Sequence, residues 1–414
     1  MTVAIIGAGP AGLALAHILN GNIPHYDPDL FGPHPDPQLH ELLINCPNLL
    51  CAATESKILE YVKLNVQSFF SSDCSPVSLL FDTLRIPCET NIQNQSTMES
   101  RVSWKASPEN KVPYTLIGGK DGAGGQWSNM DSDSEDSRVL SYAEMLSLPG
   151  WAFSHFYRER YNCAVPDFLR PTRKVVAEYY KLYADKMGIP VTNKLVGNIT
   201  KSPNGFAVLT TAGDLICEAT DVVLASGISC AQTDSMQTKK LAPSGSVVVV
   251  GSGVSAADAV ICAKPDKVLH IYKWTSPQGE PTPLRRYPKK LYPEYAAIFE
   301  EMKSRTGPTY TGIPNGQIIK IDENKVLIQK QDGDVLEAQA KEVIIRTGRA
   351  GSLAYAQDVL PKKTELVGKM SLRDLGYPLP KIADNVWAIG SLTGDSLVRY
   401  ILGMSCAVAW NLMD

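Results

Sequence analysis

At 414 residues the chain is too long for one small core and implies two or three domains. Apolar residues make up 44% and charged residues 20%, an ordinary soluble composition, and a net charge of -3 gives no reason to expect nucleic acid or an anionic membrane as partner. Nine cysteines without a C-x-x-C pair, and six histidines (His17, His25, His34, His40, His155, His270) without ligand spacing, argue against a disulfide framework, a dithiol reductase and a metal centre.

Val3–Ile6 is an apolar strand that runs into Gly7, Gly9, Pro10, Ala11 and Gly12, and an Ala/Leu-rich helix follows through about Leu19. This is the spacing of a dinucleotide cradle. Gly7 makes the turn, Gly9 puts no side chain against a pyrophosphate, and Gly12 lets helix and strand pack closely. The helix N-terminus adds unpaired N–H groups and partial positive charge. The chain enters this strand at Thr2, which leaves no room for a leader peptide. Ile23–Tyr26 is a short apolar piece ending in Asp27-Pro28-Asp29. An acid about 20 positions beyond the first glycine usually holds the adenosine ribose. Asp27 fits that count and Asp29 nearly so, although either is equally an ordinary turn aspartate.

Residues 30–112 look like an insertion with helical pieces at Leu39–Leu43, Ile58–Leu64 and Ser75–Asp82, and a polar, loose stretch at Glu89–Glu99. Val112–Ile117 is a strand ending in Gly118-Gly119-Lys120, and Gly124-Gly125-Gln126-Trp127 follows. Glycines there let the backbone pass against a flat ring, with the tryptophan at its edge; a hairpin turn with a core tryptophan is the plainer reading. The acidic run Asp131–Asp136 is a solvated loop. Thr172 caps a long helix to about Met187, stopped by Gly188-Ile189-Pro190. Lys194–Ile199, Gly205–Thr211 and Asp214–Cys217 form an antiparallel meander, and Asp221–Gly227 is a strand with a small-residue exit.

Ser246–Val250 then repeats the opening pattern, with Gly251, Gly253, Ser255 and Ala256 opening a second helix. The next strand, Val268–Tyr272, ends at Lys273. A cation there suits the 2′-phosphate of NADP, where an acid would favour NAD; Arg285 and Arg286 lie nearby in sequence. Lys290–Met302 is helical, Val343–Ile345 runs into Arg346-Thr347-Gly348, and Asn385–Gly390 is a last strand. A final helix spans about Ser396–Met413, capped by Asp395 or Ser396, and its N-terminus would face the electron-rich edge of a flavin. Tyr400–Leu412 is too short to span a bilayer.

The order predicts an α/β fold of two nested Rossmann-like dinucleotide-binding domains. The FAD domain takes residues 1–230 and 346–414 and carries the helical insertion; the NAD(P)H domain is residues 231–345. The expected cofactor-binding residues are Gly7, Gly9, Pro10, Ala11, Gly12, Lys120, Gly124, Gly125, Gln126, Trp127, Gly227, Gly251, Gly253, Ser255, Lys273, Gly390 and Asp395. No catalytic side chain stands out.

On Gly7/Gly9/Gly12, Gly124-Gly125-Gln126-Trp127 and Gly251/Gly253/Ala256, the chain resembles the flavin-containing monooxygenase superfamily. Within it, Ser75–Asp82, Leu146–Pro149, Ser255–Val260, Leu291–Tyr295, Gly394-Asp395 and Val398-Arg399-Tyr400 resemble characteristic runs of the oxidative-stress-induced growth inhibitor family, over nearly the whole length. The F-x-G-x-x-x-H-x-x-x-[YF] fingerprint of the best-known monooxygenase branch is absent, and Ser391 stands where many flavoproteins carry an aspartate. The superfamily usually has its ribose acid where this chain has Gly118-Gly119, so the adenosine contact stays open between Asp27, Asp29 and the backbone near Lys120.

The scattered, odd-numbered cysteines suit reduced thiols in a cytoplasmic protein. The resemblance implies use of FAD and NADPH, with regulatory roles in growth and stress attributed to animal members. The chemistry expected is reduction of FAD, O2 addition at the flavin C4a carbon as a hydroperoxide, and oxygen transfer to a small-molecule substrate. An NAD(P)H oxidase or flavin reductase, and a catalytically weak flavoprotein regulator, are the competing readings. No membrane span is expected, and a homo-oligomer is compatible with the sequence.

Overall fold

A computed structural model describes residues 2–66, 74–85, 100–120, 122–128, 138–228, 238–264, 266–275, 282–287, 289–290, 292–348, 351–364, 371–377 and 380–413. The expected loops at Glu89–Glu99 and Asp131–Asp136 lie outside them. The chain forms two compact units, Met1–Ser229 with Gly351–Asp414, and Cys230–Ala350.

In the first unit, β1 (Val3–Ile6) is buried along its whole length, as a strand covered on both faces must be. α1 (Pro10–Leu19) starts on a proline whose missing N–H costs nothing there, and it is buried from Ala11 to Leu19. β2 (Asn22–Tyr26) follows. It leaves the central sheet and pairs antiparallel with β3 (Val102–Ala106), Asn22 opposite Ala106 and Tyr26 opposite Val102. Between them lie α2 (Pro28–Phe31), α3 (Pro37–Asn45), α4 (Leu49–Ala52), α5 (Ser56–Asn65) and α6 (Pro76–Arg85). The inserted segment therefore starts directly after α1 rather than at residue 30. Its neck is closed by Ser107 N–H on Gly21 O (2.7 Å) and Val112 N–H on Leu19 O (3.0 Å).

β4 (Tyr114–Ile117) takes the place beside β1 that β2 vacates, in parallel register Val3–Tyr114 to Ile6–Ile117. α7 (Phe153–Tyr161) and α8 (Arg173–Lys186) follow. Thr172 accepts the Val175 N–H as the cap of α8, and Gly188, at φ +60°, turns the chain out of it. β5 (Val191–Thr192) joins the sheet, β6 (Val196–Ser202), β7 (Gly205–Thr210) and β8 (Leu215–Ala219) form the expected meander, and β9 (Asp221–Leu224) returns beside β1.

The second unit begins at β10 (Thr238–Lys240). Its centre is β11 (Ser246–Val250), followed by α9 (Val254–Ala263), β12 (Val268–Tyr272), α10 (Pro293–Ser304), β13 (Tyr310–Pro314), β14 (Gln317–Ile321), β15 (Lys325–Gln329) and β16 (Val335–Ile345). The sheet runs β13-β12-β11-β16-β15-β14, with β10 on β16. β11, β12 and β13 are parallel and β16 runs parallel to β11, so the exits of these strands share one edge.

The first unit is then completed by β17 (Lys381–Ala383) and β18 (Val386–Ala388), giving the order β17-β18-β9-β1-β4-β5. α11 (Ile401–Met413) closes it against α1 and α6. At Gly403 an added Cβ would lie 2.5 Å from the Val77 backbone, so the close crossing of α6 and α11 depends on that glycine. No described helix is long and apolar enough to cross a membrane, and no described His/Cys/Asp/Glu group would hold a metal.

Candidate functional site

The first cradle is assembled at the carboxyl ends of β1, β4, β9 and β18, the edge where open α/β sheets bind ligands. Gly7 sits at φ +120°, and a Cβ on it would fall 2.4 Å from Ala225 O. Its N–H donates to Ile117 O (2.8 Å), while Ala225 N–H donates to Ile6 O (2.8 Å), which draws three strand exits together. A Cβ on Gly12 would lie 2.0 Å from Gly7 O. Both glycines are demanded by the fold.

Gly9 is different. Its backbone (φ -74°, ψ -178°) suits any residue, and the nearest atom to an added Cβ is Gly125 Cα at 3.9 Å. Gly9 is also the N-cap of α1, with no side chain to satisfy the first-turn amides. By contrast α3, α4, α5 and α8 are capped by Asp36, Asn48, Glu55 and Thr172. The chain thus has room for a side chain here and a helix end that lacks one.

Gly124 and Gly125 lie directly against this opening. Gly124 N–H donates to Ala8 O (2.8 Å), and a Cβ on Gly125, at φ +56°, would meet Gly9 Cα at 3.0 Å. Arg173 of α8 holds the Gln126 carbonyl (2.7 Å). Trp127 packs 6.2 Å from the Tyr180 ring, and its buried indole N–H has no hydrogen-bond partner among the described residues. Gly227 (φ +70°) and Gly390 (φ +72°) bring in the exits of β9 and β18; a Cβ on Gly390 would lie 2.8 Å from Ala11 Cβ. Gly7, Gly9, Ala11, Gly12, Gly124, Gly125, Gly227 and Gly390 are therefore gathered around the start of α1. Lys120 stands exposed past the exit of β4.

Of the two readings open to Asp27, the structure shows the turn role: it caps α2, its carboxylate accepting the Asp29 N–H at 3.2 Å. Asp29 lies within that same short helix. One expectation is corrected. Asp395 and Ser396 do not cap the last helix, which begins at Ile401 after a 3-10 turn over Val398–Tyr400. Instead the Asp395 carboxylate is 1% exposed and accepts from Ser78 Oγ (2.7 Å), Ser75 Oγ (3.2 Å) and Arg373 Nη2 (2.9 Å). Burial raises its pKa, against the pull of Arg373 and the serines.

The second cradle repeats the design. Gly251, at φ +145°, leaves 2.1 Å between an added Cβ and Arg346 O. Gly253 has an ordinary φ of -101°, nothing within 4 Å of an added Cβ, and caps α9 without a side chain. Ser255 is exposed in the first turn of α9. Lys273 leaves β12 with its N–H on Ser252 Oγ (2.8 Å) and its side chain exposed, and Thr282 Oγ1 donates to Ser252 O. Arg285 is exposed in the turn that follows Thr282.

One residue tied to this cradle carries no signal in the sequence. His270 is fully buried, with Nε2 2.7 Å from Gly251 O and Nδ1 2.8 Å from the Tyr310 hydroxyl. Burial holds its pKa down to about 4, so the ring is neutral: Nε2–H donates to the glycine carbonyl and Nδ1 accepts from Tyr310. Burial likewise lowers His17, in α1, to about 4. Each unfolded imidazole titrates near its ordinary 6.5, so both histidines contribute full stability above that value. The contribution is lost as pH falls from 6.5 towards 4, by roughly 3 kcal/mol per ring. His17→Phe should shrink the loss of stability between neutral pH and about pH 4.5 by roughly 2–3 kcal/mol, read from denaturant unfolding at the two pH values. An unchanged pH dependence would show that His17 is not a neutral buried ring.

Known proteins add the following. The model of the "Pyridine nucleotide-disulphide oxidoreductase" family matches residues 161–367. The chain is 26% identical to mouse "Oxidative stress-induced growth inhibitor 1", covering 100% of this chain and 95% of that protein. Among solved structures, the bacillithiol disulfide reductase of Bacillus cereus superposes with a TM-score of 0.57 at 16% identity, over 100% of this chain and 98% of that one. The flavin-containing monooxygenase of Stenotrophomonas maltophilia gives 0.54 at 14% identity, over 99% and 97%. These two structural likenesses establish a shared fold, and the growth-inhibitor likeness spans the chain, insertion included.

Proposed function

The chain belongs to the pyridine nucleotide-disulphide oxidoreductase family, and on that premise we propose that it is an FAD- and NADPH-dependent monooxygenase acting on a small-molecule substrate. The observation that carries the reading is the pair Gly9 and Gly253. Neither glycine is needed by the backbone or by packing, and each opens a helix end that no side chain caps. A phosphate group is what such a position accommodates and what uncapped amides bind.

In this reading Gly9 and the first turn of α1 hold the FAD pyrophosphate, with Gly7 and Gly12 shaping the turn. Gly124, Gly125, Gly227 and Gly390 give backbone surface for the rest of the cofactor, and the unpartnered Trp127 N–H is a donor awaiting an acceptor. The adenosine ribose falls to the exit of β4 at Lys120, since β4 and not β2 lies beside β1. Gly253 and the first turn of α9, Ser255 included, hold the nucleotide diphosphate, and Lys273 with Arg285 supplies charge for a 2′-phosphate. When bound, FAD supplies a ring that accepts hydride from the nicotinamide and then reacts with O2. Neutral His270 keeps the Gly251 turn fixed without bringing a further charge.

Purified protein should absorb at about 450 nm and bleach anaerobically on adding NADPH, more readily than with NADH. Gly253→Asp should keep the colour and slow bleaching at least about tenfold; Lys273→Ala should raise KM for NADPH about tenfold and leave that for NADH unchanged. Equal effects on the two nucleotides would remove the 2′-phosphate assignment. H2O2 formed in step with NADPH consumed, for every candidate substrate, would identify an oxidase. A second reading, a flavoprotein regulator of growth, is favoured by the full-length likeness to proteins named growth inhibitors. Colourless protein that ignores added FAD would replace the enzyme with a regulator that uses the fold for binding.

A further inference from the structure

We propose that Asp395 is a positioning residue of the first cradle, through which helix α6 of the insertion sets the Gly390–Thr393 turn. The inference rests on reading that cradle as the flavin site. The turn is a single 3-10 loop at the exit of β18, and Gly390 abuts Ala11 at the start of α1. Thr393 Oγ1 donates to Gly390 O (2.8 Å), Arg373 Nε donates to Thr393 O, and Leu372 N–H donates to Leu392 O (2.8 Å). Arg373 in turn is held by Asp395, at 2.9 Å. Gly394, between them at φ +95°, takes a conformation that side chains rarely adopt, and an added Cβ would lie 2.8 Å from Arg373 Nη2.

The other side of the Asp395 carboxylate belongs to the insertion. Ser78 Oγ donates to Oδ2 (2.7 Å), Ser75 Oγ reaches the same oxygen (3.2 Å), and the Ser75 N–H points to Oδ1 (3.4 Å). The two hydroxyls are themselves 2.8 Å apart. Ser75, Ser78 and Asp395 are all buried. A buried carboxylate is expensive, and apolar packing in its place would be no less stable. Asp395 does not cap α11, so its cost is not offset there. What the carboxylate does is join a serine pair on the inserted segment to the guanidinium that grips the Thr393 carbonyl. Small displacements of α6 are thereby passed to the backbone beside the cofactor cradle.

The test compares wild type, Ser75→Ala/Ser78→Ala and Asp395→Asn with Val62→Ala, which thins the insertion core at α5 and removes none of the network's hydrogen bonds. FAD affinity is measured by titrating apoprotein, and the bound flavin is characterised by its visible absorption band and midpoint potential. The serine double variant and Asp395→Asn should each bind FAD about tenfold more weakly, with a shifted band or potential. Val62→Ala should lower the melting temperature yet leave affinity, band and potential unchanged. If the double variant fails to fold, Ser78→Ala and Arg373→Lys are measured in the same way. Wild-type affinity and spectrum in the network variants, or equal weakening in Val62→Ala, would overturn the positioning role while leaving the flavin site standing. A wild-type chain that takes up no FAD would overturn the flavin site itself, and this role with it.

Discussion

Gly9→Ala should give a folded protein that no longer holds FAD, whereas Gly12→Ala should not fold. The two positions lie three residues apart in one motif, but their surroundings differ. At Gly12 a methyl group would lie 2.0 Å from Gly7 O, a backbone overlap that only separation of α1 from β1 relieves. Such a change belongs with the large destabilisations, above roughly 4 kcal/mol. At Gly9 the methyl meets Gly125 Cα at 3.9 Å, an ordinary contact, in a backbone conformation open to alanine. The melting temperature of apoprotein should stay within a few degrees of wild type. The methyl group would instead occupy the approach to the first-turn amides of α1. Losing charge-assisted bonds there, at about 1.5–3 kcal/mol each, weakens FAD by at least about a hundredfold. Gly9→Asp adds a carboxylate beside the pyrophosphate and should yield colourless protein. Equal melting losses in Gly9→Ala and Gly12→Ala would mean that both glycines serve the fold alone. Stoichiometric yellow cofactor in Gly9→Asp would move the site elsewhere.

Features that could be read from the sequence are those decided within a few residues. A strand, a glycine turn and a helix in immediate succession encode both cradles, because turn, cap and helix start are local events. The Thr172 cap and Gly188 stop of α8 belong to the same class, as does the three-stranded meander. What misled was partnership across long separations. Ile23–Tyr26 has the apolar content of a sheet strand, and nothing in it says whether its partner is Val3–Ile6 or Val102–Ala106. Because it pairs with the latter, Asp27 ends a strand outside the central sheet and takes the turn role, one of the two readings its position left open. Asp395-Ser396 ahead of an apolar run is a fair helix-start signal. Here it is overridden by Ser75 and Ser78, more than 300 residues earlier, which take the carboxylate for themselves. The growth-inhibitor resemblance had marked Ser75–Asp82, Gly394-Asp395 and Val398-Arg399-Tyr400 as separate runs. In the fold they meet, and their polar members bind one another.

The second such meeting carries a large stability effect of its own. Arg399 is 1% exposed and grips Asp82 of α6 with both ends of its fork, Nε on Oδ1 and Nη2 on Oδ2, each at 2.7 Å. Removing one partner of a buried pair strands the other, at a cost of about 3–5 kcal/mol. The two removals should not cost the same. Arg85 is also buried, donates to Ser147 O (2.7 Å), and lies close enough to Asp82 to lower that carboxyl's pKa. Arg399→Leu leaves Asp82 facing Arg85, an opposite charge. Asp82→Leu takes that carboxylate away from two buried cations, Arg85 and Arg399, at once, so it should be the more damaging by roughly 1 kcal/mol or more. The variants should also separate by pH. Burial raises Asp82 above its unfolded value in spite of Arg399, and without Arg399 it must rise further. A carboxyl that binds its proton more tightly when folded gains stability as pH falls through its folded pKa. Arg399→Leu should therefore recover part of its loss on going from neutral to mildly acidic pH, relative to wild type, and Asp82→Leu should not. Denaturant unfolding of both variants at two pH values reads the ordering directly. If Arg399→Leu is the worse variant, or the pH response appears in Asp82→Leu instead, the buried charge balance between the insertion and the C-terminal segment is not the one derived from these contacts.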